Sequence, residues 1–284
     1  MPAFMIDLHT HTTASDGRLT PRELVRAAAR AGVTVLSVTD HDTADGLPES
    51  LDEGAASGVR VVPGVELSAH SGGADIHILG YFIAAAEPGL AALFEALRGS
   101  RRDRVYRMVE ALRSAGVRLD VEDVWAEAAG GTVSRTHVAR AMVHRGIVPT
   151  MGRAFDRWLG RGAPAYVPSN ALSPVEAIRR IRAAGGVPVL AHPVLLPDDG
   201  IIPGLVRDGI EGIEVFCREA RPSEVERYAR IARDFGLLMT GGSDFHGETR
   251  FGGDLGEIDC PAEHFARLEA RASSSGCVRP APAP

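Results

Sequence analysis

The feature that most constrains the fold is a regular alternation of short apolar segments with capped helical segments. Residues 4–8, 33–38 and 59–65 each have the pattern of a strand, and 33–38 is apolar almost throughout. Such a continuous apolar run is typical of a strand buried on both faces of a parallel sheet. Between the first two strands, Thr-Pro-Arg-Glu at 20–23 combines a capping box with a proline at the first helical position, which predicts a helix that stops at Gly32. The alternation favours an α/β fold.

The alternation is interrupted in the middle of the chain, where the strand signal disappears. The helical patterns in this part cover 90–115, 121–129 and 134–145, and strands are again predicted at 187–190, 213–216 and 237–240. We therefore expect a barrel-sized α/β domain made of residues 1–97 and 169–272, with a helical insertion at 98–168. Residues 273–284 are rich in Ser, Pro and Ala, and we expect them to form a disordered tail.

Composition excludes several classes of protein. With 284 residues, of which 45% are hydrophobic, the chain can bury a large core. No apolar run is long enough to span a bilayer and no signal-peptide pattern begins the chain, so we expect a soluble, cytoplasmic protein. Its three cysteines are odd in number and form no Cys-x-x-Cys pair, which argues against a disulfide framework.

The charges are unevenly distributed along the chain. All basic residues are arginines, and residues 98–161 contain 13 Arg against 7 Asp and Glu, a local excess of +6. Because the whole chain carries −6, the remainder carries −12. A cationic insertion beside an acidic body suggests that the insertion holds a polyanionic substrate while the body holds metal cations. The alternative is that arginine merely replaces lysine on solvated helix faces.

Histidines and carboxylates recur at or near the ends of the predicted strands. His9 and His11 would project to the same side of a strand, although such a pair alone is equally compatible with ordinary surface residues. The full set of candidate ligands is His9, His11, Asp16, His41, Glu66, His77, His192, Asp244 and His246. Nine nitrogen and oxygen ligands exceed the needs of one ion and fit two or three. The absence of cysteine among them favours a catalytic site, and Mn²⁺, Zn²⁺ and Fe²⁺ are all compatible with it.

These residues, in this order, resemble the polymerase and histidinol phosphatase (PHP) superfamily within the amidohydrolase group. The shared motifs are His9-x-His11, Thr-Asp-His41-Asp, Pro-Gly-Val-Glu66, Ala-His192-Pro and Ser-Asp244-x-His246. The resemblance implies a distorted seven-stranded (β/α)7 barrel with a site for two or three divalent ions, Mn²⁺ being preferred. The insertion, with its Ser-Arg-Thr-His motif at 134–137, is similar to the branch acting on nucleotides and short RNA, in which it forms a substrate cap.

The resemblance also implies roles for individual residues. One ion would be held by His9, His11, Glu66 and Asp244; a second by Glu66, His77 and His192; and a third by Asp16, His41 and His246. Substrate would be bound by Ser134, Arg135 and His137. From the sequence alone, Ser134 could equally be a plain N-cap and Arg135 a solvated residue of the first helical turn.

The resulting expectation is a phosphomonoesterase that removes the 3′-phosphate of nucleoside 3′,5′-bisphosphates, such as adenosine 3′,5′-bisphosphate, by attack of a metal-bound hydroxide. No residue outside the ligand set stands out as the leaving-group acid. The first alternative is a 5′-3′ exoribonuclease on short 5′-phosphorylated RNA. Less favoured are a histidinol-phosphate phosphatase and a non-catalytic metal or nucleotide sensor. We expect no DNA duplex, membrane or obligate protein partner.

Overall fold

Seven strands form one barrel-shaped, nearly closed mixed sheet in which their spatial order follows the chain. The computed structural model describes residues 5–168, 172–247, 254–258 and 260–274. The strands are β1 (Met5–Thr10), β2 (Val33–Val38), β3 (Arg60–Ser71), β4 (Ala74–Tyr81), β5 (Val187–Leu190), β6 (Gly212–Cys217) and β7 (Leu238–Gly242). This confirms the predicted seven-stranded α/β barrel.

The two ends of the sheet meet where β1 approaches the segment after β7. Thr10 forms a parallel bridge with Phe245, and the backbone N–H of His11 donates to the Phe245 carbonyl at 2.9 Å. Gly242 lies against His9 so closely that a Cβ atom at position 242 would be 2.4 Å from the His9 nitrogen. Closure therefore brings the residues that follow β7 next to the histidines of β1.

One strand runs against the expected direction. β1, β2 and β3 are parallel, as are β5, β6 and β7, but β4 is antiparallel to both of its neighbours. A turn at Gly72 and Gly73, both with positive φ, joins β3 and β4 in a hairpin. The expectation that the candidate ligands lie at or near strand ends is therefore wrong for Glu66 and His77, which lie within β3 and β4. The predicted strand ended at residue 65, because polar residues follow Glu66. β3 nevertheless continues to Ser71, with buried and partly exposed side chains alternating after Glu66.

The described part of the chain contains ten α-helices. They are α1 (Pro21–Ala31), α2 (Leu47–Ser57), α3 (Pro88–Ser114), α4 (Val121–Ala128), α5 (Arg135–His144), α6 (Met151–Ala154), α7 (Pro174–Ala183), α8 (Ile202–Asp208), α9 (Pro222–Phe235) and α10 (Ala262–Ser274). The capping box at Thr20 and Glu23 begins α1, and Gly32 ends it in the left-handed conformation, as predicted. None of these helices is long and apolar enough to cross a bilayer.

Helix α3 belongs to two hydrophobic cores. Its first half packs Leu90, Phe94 and Leu97 into the core around the barrel. Its second half, from Val105 to Leu112, packs instead into a separate core that continues to Val167. A continuous helix therefore connects the barrel to the segment 98–168, in which the described residues include no strand.

The end of the chain differs in part from the prediction. Ser273 and Ser274 belong to the last turn of α10, where the Ser273 hydroxyl donates to the Glu269 carbonyl at 3.0 Å. Their position in a helix that buries Phe265 and Leu268 explains the difference, because the apolar spacing of α10 carries the helix into the Ser-rich segment. The remainder of the predicted tail, 275–284, lies outside the described residues, as does residue 4 of the predicted first strand.

Gly242→Ala tests the barrel closure. A methyl group at this position meets backbone and side-chain atoms of His9, so we expect the free energy of unfolding to fall by about 1–3 kcal/mol or more. Gly99→Ala is the matched control, because Gly99 lies in α3 with open space around its Cα and alanine there should add about 0.5–1 kcal/mol. Urea unfolding measures both variants. Equal stability of the Gly242→Ala and wild-type proteins would contradict the close approach.

Candidate active site

The nine predicted ligand side chains converge at one end of the barrel. His9 lies in β1 with His11 and Asp16 in the segment after it, His41 follows β2, Glu66 and His77 lie in the β3–β4 hairpin, His192 follows β5, and Asp244 and His246 follow β7. Strand alternation places the rings of His9 and His11 on the same side, with centroids 5.2 Å apart. The structure thus assembles in one place residues from six separate parts of the chain.

Glu66 is the centre of this cluster. Its side chain is 1% exposed, and its two carboxylate oxygens face five imidazoles. The nitrogen-to-oxygen distances are 3.3 Å to His9, 3.3 Å to His11, 3.0 Å to His41, 2.7 Å to His77 and 3.1 Å to His192. A carboxylate with imidazoles at both oxygens could contribute a ligand atom to more than one cation.

Asp244 and Asp16 complete the cluster on either side of His11. Asp244 Oδ1 lies 3.3 Å from His9 Nε2 and 3.1 Å from His11 Nε2. Asp16 Oδ1 lies 3.3 Å from His246 Nε2 and 3.8 Å from His41 Nε2. Each of the three carboxylates, Glu66, Asp244 and Asp16, is therefore in contact with at least two imidazoles.

The donor set fits divalent cations. Several buried atoms of the cluster have no hydrogen-bond partner: His9 Nε2, both ring nitrogens of His11, Asp16 Oδ1, His41 Nδ1 and Glu66 Oε2. Such atoms are rare in proteins, because an unpartnered buried polar group costs free energy. Two ligands on one ion, each about 2.0–2.2 Å from it, lie roughly 3–3.5 Å apart, which matches most distances in the cluster.

Three groups of ligand atoms are compact enough to hold an ion each. In each group all ligand atoms lie within 4.8 Å of one another: His9, His11, Glu66 and Asp244; His41, Glu66 and His77; and His11, Asp16, His41 and His246. The first group has the composition expected from the sequence. In the second, His41 stands where His192 was expected, because His41 Nδ1 faces Glu66 while its Nε2 faces Asp16.

Adjacent imidazoles of the cluster have opposite pKa shifts. Burial, together with the neighbouring His246 and His41, lowers the pKa of His11 to about 3. Burial also disfavours the charged form of His246, but Asp244 and Asp16 outweigh it and raise its pKa to about 10. The two rings stack with centroids 4.1 Å apart. A cation bound at His246 must therefore displace a proton, since only the neutral imidazole is a ligand.

Glu214 is a buried site residue that sequence reasoning missed. Its Oε1 accepts from His9 Nδ1 at 3.0 Å, which leaves Nε2 of that ring to face the cluster. Its Oε2 accepts the backbone N–H of His192 at 2.7 Å, where the backbone has a positive φ of 24°. The signal was a single glutamate within the apolar segment Gly-Ile-Glu-Val-Phe of β6, and such a buried charge requires partners. Glu214 therefore orients two of the candidate ligands.

Buried aspartates beside the ligands order the surrounding loops. Asp7 accepts from the backbone N–H and hydroxyl of Ser243 at 2.9 and 2.6 Å, and burial raises its pKa to about 6 although these bonds oppose the shift. Asp40 accepts from the Thr12 N–H and hydroxyl, both at 2.7 Å, and from the Ser15 hydroxyl at 2.6 Å. These bonds fix the segments that hold His11, Asp16 and Asp244.

Ser134 and His137 lie at the start of α5, against the cluster. Ser134 is the N-cap, and its hydroxyl also donates to Asp16 Oδ2 at 3.0 Å. His137 Nδ1 accepts the Ser134 N–H at 3.0 Å, its side chain is buried, and burial lowers its pKa to about 4. Ser134 is thus both the N-cap and a neighbour of a candidate ligand, whereas His137 is engaged within the capping box.

Arg135 lies on the wall of a cavity of about 150 Å³ beside the cluster. The same cavity is lined by Asp16, His41 and His77 on the barrel side. Arg135 Nη2 pairs with Asp75 at 2.9 Å, and its guanidinium lies 5.9 Å from the centre of the Tyr166 ring. The cavity therefore joins the candidate ligands to a cationic surface.

Comparisons with known proteins agree with this geometry. The PHP domain family model matches residues 7–118. The chain is 37% identical over 262 residues to the 3′,5′-nucleoside bisphosphate phosphatase of Chromobacterium violaceum, covering 89% of this chain and 91% of that protein. It is 36% identical over 245 residues to a 5′-3′ exoribonuclease of Haemophilus influenzae, covering 84% and 89%.

A solved structure shares the whole architecture. A crystal structure from Bifidobacterium adolescentis, described as that of a metal-dependent phosphoesterase, superposes with a TM-score of 0.87 at 33% identity, over 95% of this chain and 97% of that one. These similarities extend over both halves of the barrel and the segment between them. The chain therefore belongs to the PHP family, and it is a metal-dependent phosphoester hydrolase.

Proposed function

We propose that the protein removes the 3′-phosphate from nucleoside 3′,5′-bisphosphates. The observation that carries this proposal is a cavity lined both by Asp16, His41 and His77 of the ligand cluster and by Arg101, Arg104 and Arg135. A small molecule with one phosphate at the cluster and further negative charge toward the arginines matches both groups of residues. The substrate named for the 37%-identical relative from Chromobacterium violaceum has this chemistry.

In this proposal the nine clustered residues hold two or three divalent ions. His9, His11, Glu66 and Asp244 would bind one ion; Glu66, His77 and His41 or His192 a second; and Asp16, His41 and His246 a third. Bound ions would supply Lewis acidity toward the phosphoryl oxygens and lower the pKa of water. Glu214 keeps the His9 ring in the orientation that presents Nε2.

The segment 98–168 would act as the substrate cap, bound to the site through several contacts. Arg140 Nη2 donates to the Asp16 carbonyl at 2.6 Å, and Ser134 donates to the carboxylate of the same residue. Arg101 pairs with Asp42, next to His41, at 2.6 Å. In this arrangement Arg135, whose guanidinium is a planar fork of donors, would contact phosphate oxygens of the substrate.

A 5′-3′ exoribonuclease activity is the second candidate, because the chain is also 36% identical to an enzyme with that name. Both reactions need the same ligand cluster, and they differ in the length of the surface that the substrate covers. Mn²⁺ as the native ion and a cytoplasmic location stay predictions, as does the contact of His137 with substrate.

A substrate panel separates the two activities. We expect the purified protein, supplied with Mn²⁺, to release inorganic phosphate from adenosine 3′,5′-bisphosphate faster than it releases nucleotides from a 5′-phosphorylated oligoribonucleotide. Phosphate release and chromatography of the nucleotide products measure the two rates under the same conditions. A markedly higher rate on the oligomer would reject the first candidate in favour of the second.

His9→Ala and Asp244→Asn test the ligand cluster. Each should remove bound metal and abolish turnover, because each residue contributes to the group built on Glu66. The circular dichroism spectrum should be retained. His144→Ala is the matched control, since that side chain lies at the end of α5, is 82% exposed and pairs with Glu127 away from the ligand cluster. For each of the three variants we would measure the metal content, the thermal unfolding temperature and the rate of phosphate release. Full metal content in Asp244→Asn would contradict the proposed ligand role.

Arg135→Ala tests the substrate contact of the cap. Loss of a charge-assisted hydrogen bond of about 1.5–3 kcal/mol should raise KM roughly 10- to 100-fold, while the metal content stays at the wild-type level. Arg135→Lys keeps the charge but loses the planar fork, so an intermediate KM is expected. Unchanged kinetics for Arg135→Ala would remove this residue from the substrate site.

A further inference from the structure

The cavity beside the ligand cluster has two walls of opposite chemistry. Asp16, His41 and His77 on the barrel wall are suited to cations, and the cap wall contributes three arginines. These arginines are not equivalent, because they differ in how many of their guanidinium N–H groups already have an acceptor within the protein.

Arg101 and Arg135 are each paired with a carboxylate. Arg101 donates through Nε to Asp42 at 2.7 Å, through Nη1 to the Val133 carbonyl at 3.2 Å and through Nη2 to the Ser68 hydroxyl at 2.8 Å. Arg135 forms its ion pair with Asp75 at 2.9 Å. Both charges are therefore offset before any ligand arrives, and Arg101 has few donors left.

Arg104 differs from both in its partners. Its Nε donates to the Val167 carbonyl at 2.9 Å, but its Nη2 is buried without a hydrogen-bond partner. No ion pair to Arg104 occurs within the described residues. An unpaired, partly buried guanidinium is costly, because burial removes water without replacing it by an acceptor. A ligand anion in the cavity would supply the missing acceptor.

We propose that Arg104 binds the second phosphate of the substrate, the one that is not hydrolysed, and so determines the preference for nucleotides with two phosphate groups. This inference rests on the proposed function, which places the scissile phosphate at the ligand cluster. Arg104 and the cluster face the same cavity, so one nucleotide can contact both.

The charge state of Arg104 agrees with this role. Burial, together with the nearby charge of Arg135, outweighs the opposing charge of Asp75 and lowers the pKa of Arg104 to about 10, so the guanidinium remains protonated at neutral pH. Its hydrogen bond to Val167 accounts for only one of its donor nitrogens and holds the side chain in place. A purely structural role would leave the buried Nη2 without an explanation.

The test compares two nucleotides that share the scissile group and differ in the second phosphate. For Arg104→Met, we expect kcat/KM for adenosine 3′,5′-bisphosphate to fall about 10- to 100-fold, whereas kcat/KM for adenosine 3′-monophosphate stays close to wild type. Arg104→Lys should recover part of the loss. Arg107→Met is the control, since Arg107 is exposed on the same helix and should leave both substrates unaffected.

Equal losses on both nucleotides would overturn the inference, because they would indicate a structural effect of the substitution. Calorimetric binding of adenosine 5′-monophosphate and of adenosine gives a readout without turnover. We expect the phosphate to improve binding to the wild-type protein and to lose that advantage in Arg104→Met. If the wild-type protein hydrolyses neither nucleotide, the proposed function fails, and this binding comparison still decides the role of Arg104. If Arg104→Met still binds adenosine 5′-monophosphate more tightly than adenosine by the wild-type factor, the proposed role of Arg104 is overturned.

Discussion

The contact of one buried carboxylate with five imidazoles is the interaction on which the rest of the structure depends. Glu66 lies in β3. Two of the histidines that face it lie in the strands β1 and β4, and the other three follow β1, β2 and β5. So many ionisable groups are costly to bury unless they neutralise one another or bind ions. The barrel provides this pairing, because its strands bring distant parts of the chain to one end of the sheet.

The segment 98–168 is in direct contact with the residues that hold the site in place. α3 begins in the barrel core and ends in the second core, so the two parts are joined by a continuous helix. Ser134 and Arg140 contact Asp16 at its side chain and its carbonyl, and Arg101 contacts Asp42. The segment 98–168 is therefore connected to the ligand cluster through direct hydrogen bonds and an ion pair.

Much of the local structure was predictable where short-range rules suffice. The bounds of β2 and β5 and the end of α1 at Gly32 match the predictions, because apolar runs and glycine at helix ends act within a few residues. The direction of β4 was not predictable in this way, since the pattern of apolar and polar residues does not depend on whether a strand is parallel or antiparallel to its neighbours. The role of Glu214 was missed because its partners, His9 and the backbone of His192, are far away in sequence.

The sequence by itself determined the chemistry of this protein: the ligand types, their number and their order along the chain, together with the arginine-rich character of the segment 98–161. Only the tertiary structure decided which candidate ligands lie close enough to share an ion, with His41 beside Glu66 and His77. It also distinguished Arg104, with an unpartnered buried nitrogen, from Arg101 and Arg135. The physical reason is that residue identity sets what a side chain can bind, whereas pairing depends on distances that long-range packing establishes.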